Sequence, residues 1–513
     1  YLKLILSAMN GNTTKPSLNY TKLFIGIIAF VLVAFLLKSR DVPSEISYTA
    51  AIAVLMAIWW VTEAIPIGAT SLLPIILFPL FGILNGKDIS NAYINYIIFL
   101  FIGGFIMALS IEKWDLHKRI ALKILSIAGG SPFRILSGFM LASWILSMWM
   151  SNTATAMMML PIAFSISKEL ENVYTPQKVK SLNTGILLGI AYSCSIGGIA
   201  TLVGTPPNLS FVRIFSIIFP QAPEISFAQW LLFALPLSVC MFVCAVLIIY
   251  LIYKPKDEIK SLKASFFRDQ YLQLGKITVE QKRVFVLFIT LIFLWIFRNP
   301  LELGFIKIPG WSELFQKPEL INDGTVAIFL ALLLFIIPSS KKGQALVNWE
   351  ITLKIPWQIV FLFGGGFALA KGFIDSGLSE FIGQQLVAAK ELSSPLLIGS
   401  LTGIMTFLTE FTSNTATTEM LLPVVAGLAI TIKVHPLLLM LPITLAASMA
   451  FMFPVATPPN AIVFGSGRLR MMDMLKTGIW LNLIAIVLIT FFTLVWANII
   501  LPFDILSYPT WAP

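Results

Sequence analysis

The chain has 513 residues, 58% of them hydrophobic and 12% charged, with a mean hydropathy of +0.89. A soluble domain carries about 25% charged residues, so this composition excludes a water-facing globular surface of that length. The net charge of +10 sits in loops between apolar runs, which fits a positive-inside bias better than nucleic-acid binding.

Apolar runs at 20–37, 48–66, 69–84, 93–112, 182–218, 228–253, 284–297, 323–338, 357–373, 437–467 and 477–500 predict eleven membrane-crossing helices. Strands of a barrel would alternate in short segments instead. The first eight residues are too short to read as a signal peptide. Two further stretches, 133–168 and 394–431, are too long for one crossing and are broken midway by polar clusters. Each reads either as two spans or as a re-entrant hairpin. With a cytoplasmic N-terminus, the loops 113–134, 168–180, 254–283, 339–356 and 468–476 hold 22 of the 35 basic residues on one side. Lys3, Lys15 and Lys22 bring that to 25 and place the C-terminus outside. The chain divides into an N-terminal segment and first span (1–47), a first half (48–253), a basic cytoplasmic linker (254–283), a second half (284–500) and a tail (501–513).

The halves repeat one another. FLFIGGFIMAL at 99–109 returns as FLFGGGFALAK at 361–371, SNTAT at 151–155 returns at 413–417, and Leu160-Pro161 returns as Leu422-Pro423, all 262 residues on. TPPN at 205–208 returns at 457–460, 252 residues on. Five crossings lie between the two SNT blocks, an odd number, so the repeats are predicted to be inverted. Inverted repeats with interrupted helices are a signature of secondary transporters, with the site near the midplane.

Ser151-Asn152-Thr153 and Ser413-Asn414-Thr415 are helix-capping residues between apolar segments. A helix start there presents unpaired N–H groups and a positive dipole end to an anion. In Gly204-Thr205-Pro206-Pro207-Asn208 and Ala456-Thr457-Pro458-Pro459-Asn460, two prolines break an apolar span. The freed carbonyls, with Thr and Asn, suit a cation or a polar guest. Two facing sites of this kind suit a molecule with two carboxylates. Neither motif holds Lys or Arg, so co-bound cations would lower the cost of burying such a guest. Glu63, Glu410, Glu419 and Lys371 are ionisable groups in apolar surroundings. Glu410, three residues before Ser413, reads as a proton or cation relay or as a structural partner within the hairpin. Gly103-Gly104 and Gly364-Gly365-Gly366 read as close-packing positions. Cys194, Cys240 and Cys244 form no C-x-x-C pair. His117 and His435 lie in no catalytic motif and no H-E-x-x-H occurs, so no enzymatic activity is expected.

These residues resemble the divalent anion/sodium symporter family, carriers of di- and tricarboxylates. The resemblance rests on WWVTEAIPIGATSLLP at 59–74, FIGGFIMALSIEKWDLHKRIAL at 101–122, both SNT triplets, GTPPN, IPWQIVFLFGGGFALAKG at 355–372 and ATPPNAIVFGSG at 456–467. It implies an all-α integral membrane protein with eleven transmembrane helices and two re-entrant hairpins in two inverted repeats. It further implies a homodimer in the plasma (inner) membrane, with a scaffold domain and a transport domain that moves as an elevator. By motif, the dicarboxylate would meet Asn152, Thr153, Thr205, Pro206, Ser413, Asn414, Thr415, Thr457 and Pro458. One Na⁺ would sit near Ser147, Ser151, Asn152 and Gly204, and a second near Thr409, Thr412, Asn414 and Ala456. The expected function is co-transport of C4-dicarboxylates (succinate, malate, fumarate) with Na⁺; the alternative is a sodium-independent dicarboxylate exchanger. No organic cofactor is expected.

Overall fold

The structure, a computed structural model, describes residues 19–255, 265–303, 306–501 and 504–513. The expectations for Lys3, Lys15 and the middle of the 254–283 linker therefore fall outside the described residues. In chain order the first half contains α1 (Tyr20–Lys38), α2 (Ser44–Thr62), α3 (Ile67–Thr70), α4 (Leu73–Leu80), α5 (Gly86–Tyr93), α6 (Tyr96–Lys113), α7 (Leu116–Ala128), α8 (Pro132–Ser147), α9 (Asn152–Val173), α10 (Pro176–Gly198), α11 (Pro206–Ile218) and α12 (Phe227–Tyr253). A short α13 (Ser265–Gln273) follows in the linker. The second half contains α14 (Val279–Ile296), α15 (Asp323–Ile336), α16 (Trp357–Asp375), α17 (Leu378–Gln385), α18 (Ser394–Leu408), α19 (Asn414–Ile432), α20 (Pro436–Ala446), α21 (Pro458–Gly465) and α22 (Met471–Phe491). The fold is helical, with one departure from the all-α expectation: Leu301–Leu303 pairs antiparallel with Ile306–Ile308. That two-strand ladder lies in the connection after α14, clear of the cavity described below.

Among the described residues, seven helical stretches are long and apolar enough to cross a membrane: Tyr20–Lys38, Ser44–Thr62, Gly86–Lys113, Phe227–Tyr253, Trp357–Asp375, Asn414–Ile432 and Met471–Ile500. Others fall short of the eleven expected for identifiable reasons. The runs at 182–218 and 437–467 are each split, into α10 and α11 and into α20 and α21. α14 opens with Glu280, Lys282 and Arg283 before its apolar part begins, and α15 has 14 residues. The surface of α1 exposes Phe24, Ile28 and Phe35, side chains that only lipid or another apolar surface would accommodate.

Each of the stretches 133–168 and 394–431 folds as two helices joined at a polar turn, α8 with α9 and α18 with α19. The packing around them is reciprocal. α8 lies along α10, as α18 lies along α20. α9 reaches across to α21 of the second half, and α19 reaches across to α11 of the first. The glycine blocks allow close approach of other pairs, α6 with α15 and α16 with α19. A Cβ on Gly103 would stand 2.6 Å from the Ala327 carbonyl carbon, and one on Gly366 would stand 2.0 Å from Glu419 Oε2.

The loop ends are tied by buried polar contacts. Arg298 Nε donates to Asp323 Oδ1 at 2.6 Å, and Arg119 donates to Gln281 Oε1 and to carbonyls near Gly275. Glu280, before the apolar part of α14, accepts the Ser340 N–H at 2.7 Å. The Ser340 hydroxyl, then its backbone N–H, holds the Glu280 carboxyl down to about 2, from an ordinary 4.5. A depressed carboxyl contributes stability above its ordinary value and loses it as pH falls toward the folded value. In detergent, wild type should melt above Glu280→Gln at pH 7. That gap should close as pH drops from about 4.5 toward about 2; a gap that is constant with pH would show that this ionisation contributes nothing.

Candidate functional site

Four helices begin at one cavity. α9 starts at Asn152, α11 at Pro206, α19 at Asn414 and α21 at Pro458, and all four residues line a cavity of about 520 Å³. Local sequence sets each start. The Ser151 hydroxyl accepts the Ala154 N–H, that of Ser413 accepts the Ala416 N–H, and that of Thr457 accepts the Asn460 N–H. Pro206 and Pro458 stand at the first helical position, where a missing N–H costs nothing. Each start carries the positive end of a helix dipole, about half a charge. Together the four balance roughly two negative charges without a cationic side chain.

Thirteen of the fifteen residues assigned from the sequence to the guest or the cations line this cavity: Ser151, Asn152, Thr153, Gly204, Thr205, Pro206, Thr412, Ser413, Asn414, Thr415, Ala456, Thr457 and Pro458. Ser147 and Thr409 lie behind it, fully buried. Behind each tip, oxygen atoms outnumber protons. The Ser147 hydroxyl is within hydrogen-bond reach of both Asn152 Oδ1 and the Cys194 carbonyl. The Thr409 hydroxyl approaches Asn414 Oδ1 at 2.6 Å and the Ala447 carbonyl at 3.0 Å. One hydroxyl proton serves only one acceptor, so in each place two acceptor oxygens converge on a single donor and three oxygens share one proton. Neutral, converging oxygens are the ligand type of a hard cation. Gly204 has no room for a side chain: a Cβ there would meet the Gly198 carbonyl oxygen at 2.5 Å.

Other sequence expectations are corrected. Asn208 and Asn460 do not face the cavity; both are fully buried. Asn208 Nδ2 donates to the carbonyls of Gly198 and Thr201, and Asn460 Nδ2 donates to those of Ala450 and Phe453. They staple the breaks by satisfying carbonyls that the prolines were expected to leave free. Glu63 is an exposed residue at the C-terminal end of α2, not a group inside a span. Lys371 pairs with Asp375 at 2.8 Å, one turn along α16, both half-exposed. Glu419 is buried and accepts from the Ser210 hydroxyl, tying α19 to α11. Glu410 is buried and fully occupied by N–H groups; it is a structural tie, with no position left for a relay.

Apart from Glu63, the sequence reading did not assign the cavity's walls a role. Trp60, Phe101, Phe105 and Phe411 supply apolar surface, and Lys22, Glu63 and Gln358 supply polar groups from α1, the end of α2 and α16. Only the folded contacts bring α1, α2 and α16 to this place, so no local signal assigned Lys22 or Gln358 to the cavity.

Interrupted helices that begin around one cavity, in a bundle of apolar helices, define a multi-pass membrane transport protein. The chain belongs to the family described as the sodium:sulfate symporter transmembrane region, whose model matches residues 17–502. Among curated relatives, the sodium-dependent dicarboxylate transporter SdcS of Staphylococcus saprophyticus is 41% identical over 476 residues, covering 91% of this chain and 89% of the relative. The protein of the same name from Staphylococcus aureus is 41% identical over 492 residues, covering 94% and 92%. Solved structures with a similar fold include the YdaH transporter of Alcanivorax borkumensis, with a TM-score of 0.58 at 12% identity over 89% of this chain and 100% of that one. MtrF of Neisseria gonorrhoeae, described with a class of antimetabolite efflux pumps, gives 0.54 at 13% identity over 88% and 96%.

Proposed function

We propose that this protein carries C4-dicarboxylates such as succinate, malate and fumarate together with Na⁺. The observation that carries the reading is the convergence of four helix starts on one cavity with a cluster of surplus oxygens behind each polar tip. One carboxylate meets Asn152, Thr153, Thr205 and Pro206; the other meets Ser413, Asn414, Thr415, Thr457 and Pro458. One Na⁺ takes Ser147, Ser151, Asn152 and Gly204, and another takes Thr409, Thr412, Asn414 and Ala456. In each cluster the hydroxyl keeps its proton for the Cys194 or Ala447 carbonyl and turns a lone pair to Na⁺, which lets Asn Oδ1 face the ion while Asn Nδ2 donates to the guest. Cation and anion then stabilise one another in a region of low dielectric, a physical basis for coupling.

The relatives' names support sodium coupling and the dicarboxylate class. In this reading eleven helices cross the plasma membrane and the α8–α9 and α18–α19 pairs are re-entrant hairpins. The two halves are inverted repeats. The protein works as a homodimer, a scaffold holding the interface while a transport domain carries the cavity across as an elevator. The N-terminus is cytoplasmic and the C-terminus outside.

The test is uptake of labelled succinate into proteoliposomes. Uptake should rise at least tenfold when an inward sodium gradient is imposed. Uptake indifferent to sodium but driven by internal dicarboxylate would replace the symporter by an exchanger.

A further inference from the structure

The cavity wall carries two charged side chains among the described residues, and neither belongs to the repeated motifs: Lys22 and Glu63. Lys22 lies in the first turn of α1 and is half-buried. Its Nζ donates to the Thr62 carbonyl, the last of α2, at 2.6 Å. That bond uses one of three ammonium donors and fixes the charge at the cavity's edge. The Trp59 indole N–H, donating to the Leu23 carbonyl at 3.3 Å, clamps the same two helix ends together. Glu63 follows directly, in a left-handed backbone conformation at φ 48° and ψ 47°. A non-glycine residue there is uncommon and marks a site worth a functional reading. The turn points Glu63 to the cavity without an ion pair to Lys22, since no carboxylate lies within 4.0 Å of Nζ among the described residues. Exposed Glu63 and Gln358 beside half-buried Lys22 place this edge at the mouth.

We propose that Lys22 and Glu63 form a two-signed charge gate at the cavity mouth, Lys22 drawing in the dianionic guest and Glu63 the accompanying cations. This rests on the dicarboxylate–sodium reading above. The helix starts deep in the cavity supply only fixed dipoles, which act within about one turn. A full charge at the mouth acts over roughly a Debye length, about 8–10 Å, and raises the local concentration of oppositely charged solutes. A carrier of both an anion and cations gains from one group of each sign. A residue that only capped α2 would need no charge, because a neutral amide also donates to the Thr62 carbonyl.

The experiment titrates succinate into the full-length protein in detergent at saturating Na⁺, at low and at high ionic strength set with choline chloride. The Na⁺ midpoint is read separately from thermal stabilisation. Lys22→Gln keeps a donor for the Thr62 carbonyl and should weaken succinate binding roughly threefold to tenfold at low ionic strength, flattening the salt dependence. Lys22→Arg should bind as wild type. Glu63→Gln should act with the opposite sign on succinate, tightening it, and should raise the Na⁺ midpoint roughly threefold. If both neutral variants shift both ligands in the same direction, or Lys22→Gln binds with wild-type salt dependence, the gate is overturned and the pair is packing. Wild type that binds no succinate would instead overturn the underlying functional reading, and the gate with it.

Discussion

Asn152→Ala and Asn414→Ala should each reduce succinate uptake by at least a hundredfold while leaving the protein expressed and monodisperse. Each asparagine begins a helix at the cavity and shares its Oδ1 with a buried hydroxyl, Ser147 or Thr409. Truncation therefore removes two interactions at once: an amide donor to a guest carboxylate and an oxygen from a cation cluster. A hydrogen bond to a charged group contributes about 1.5–3 kcal/mol. Losing two such interactions removes roughly 3–6 kcal/mol, which is a hundredfold or more at about 1.4 kcal/mol per decade. The helix caps stay, because Ser151 and Ser413 supply them, so the fold should survive. Asn152→Asp separates the two roles. It retains an oxygen for the cation but places a negative charge beside the guest, so Na⁺ should still raise the melting temperature while succinate no longer does. Wild-type uptake by both alanine variants would sink the site assignment.

What the sequence made legible was local and repeated. The SNT triplets work as caps because Ser, Asn and Thr favour that position, and Pro206 and Pro458 follow a threonine at a break, where proline suits the first helical turn. Their positions at the cavity could therefore be anticipated from two short motifs seen twice. The elements read least well are those whose role depends on partners far away in sequence. Asn208 and Asn460 sit inside the same motifs but turn away to staple carbonyls of the preceding break. Nothing in T-P-P-N distinguishes a residue that faces the guest from one that secures the backbone behind it. Lys22 belongs to the first span by pattern, and only the bond across 40 residues to Thr62 brings it to the mouth. Span counting needs more than apolar length for a related reason. α14 and α15 are short of a bilayer-length apolar run, and apolar length alone cannot say whether a broken run such as 437–467 crosses once or turns back.

The two halves are not chemically equivalent, and the difference predicts the second large effect. Position 148, which is 262 residues before Glu410, is methionine; its backbone carbonyl accepts from the Thr201 hydroxyl, fixing the first tip to the first break. In the second half Glu410 does this work with its side chain. Its Oε1 accepts from the N–H groups of Phe451 and Met452 at 2.7 and 2.9 Å and from Asn482 Nδ2 at 2.7 Å. Its Oε2 accepts from Met452 and Phe453, both at 3.1 Å. Five contacts fill the roughly four lone-pair positions of a carboxylate, so the group grips three consecutive N–H groups of the break between α20 and α21. Glu410→Ala leaves four buried donor groups unpaired, at about 1–3 kcal/mol for each, and should fold poorly or melt far below wild type. Glu410→Gln is the informative variant. It keeps one acceptor but turns an NH₂ toward N–H donors, so the break carrying Ala456 and Thr457 should shift. Uptake should fall tenfold or more, the Na⁺ midpoint should rise, and the melting temperature should drop. A proton relay gives a different signature: Glu410→Gln would keep wild-type stability and lose the pH dependence of uptake. An unchanged pH profile with reduced stability is the result an anchor requires, because a carboxylate saturated by backbone N–H groups has no free position from which to pass a proton.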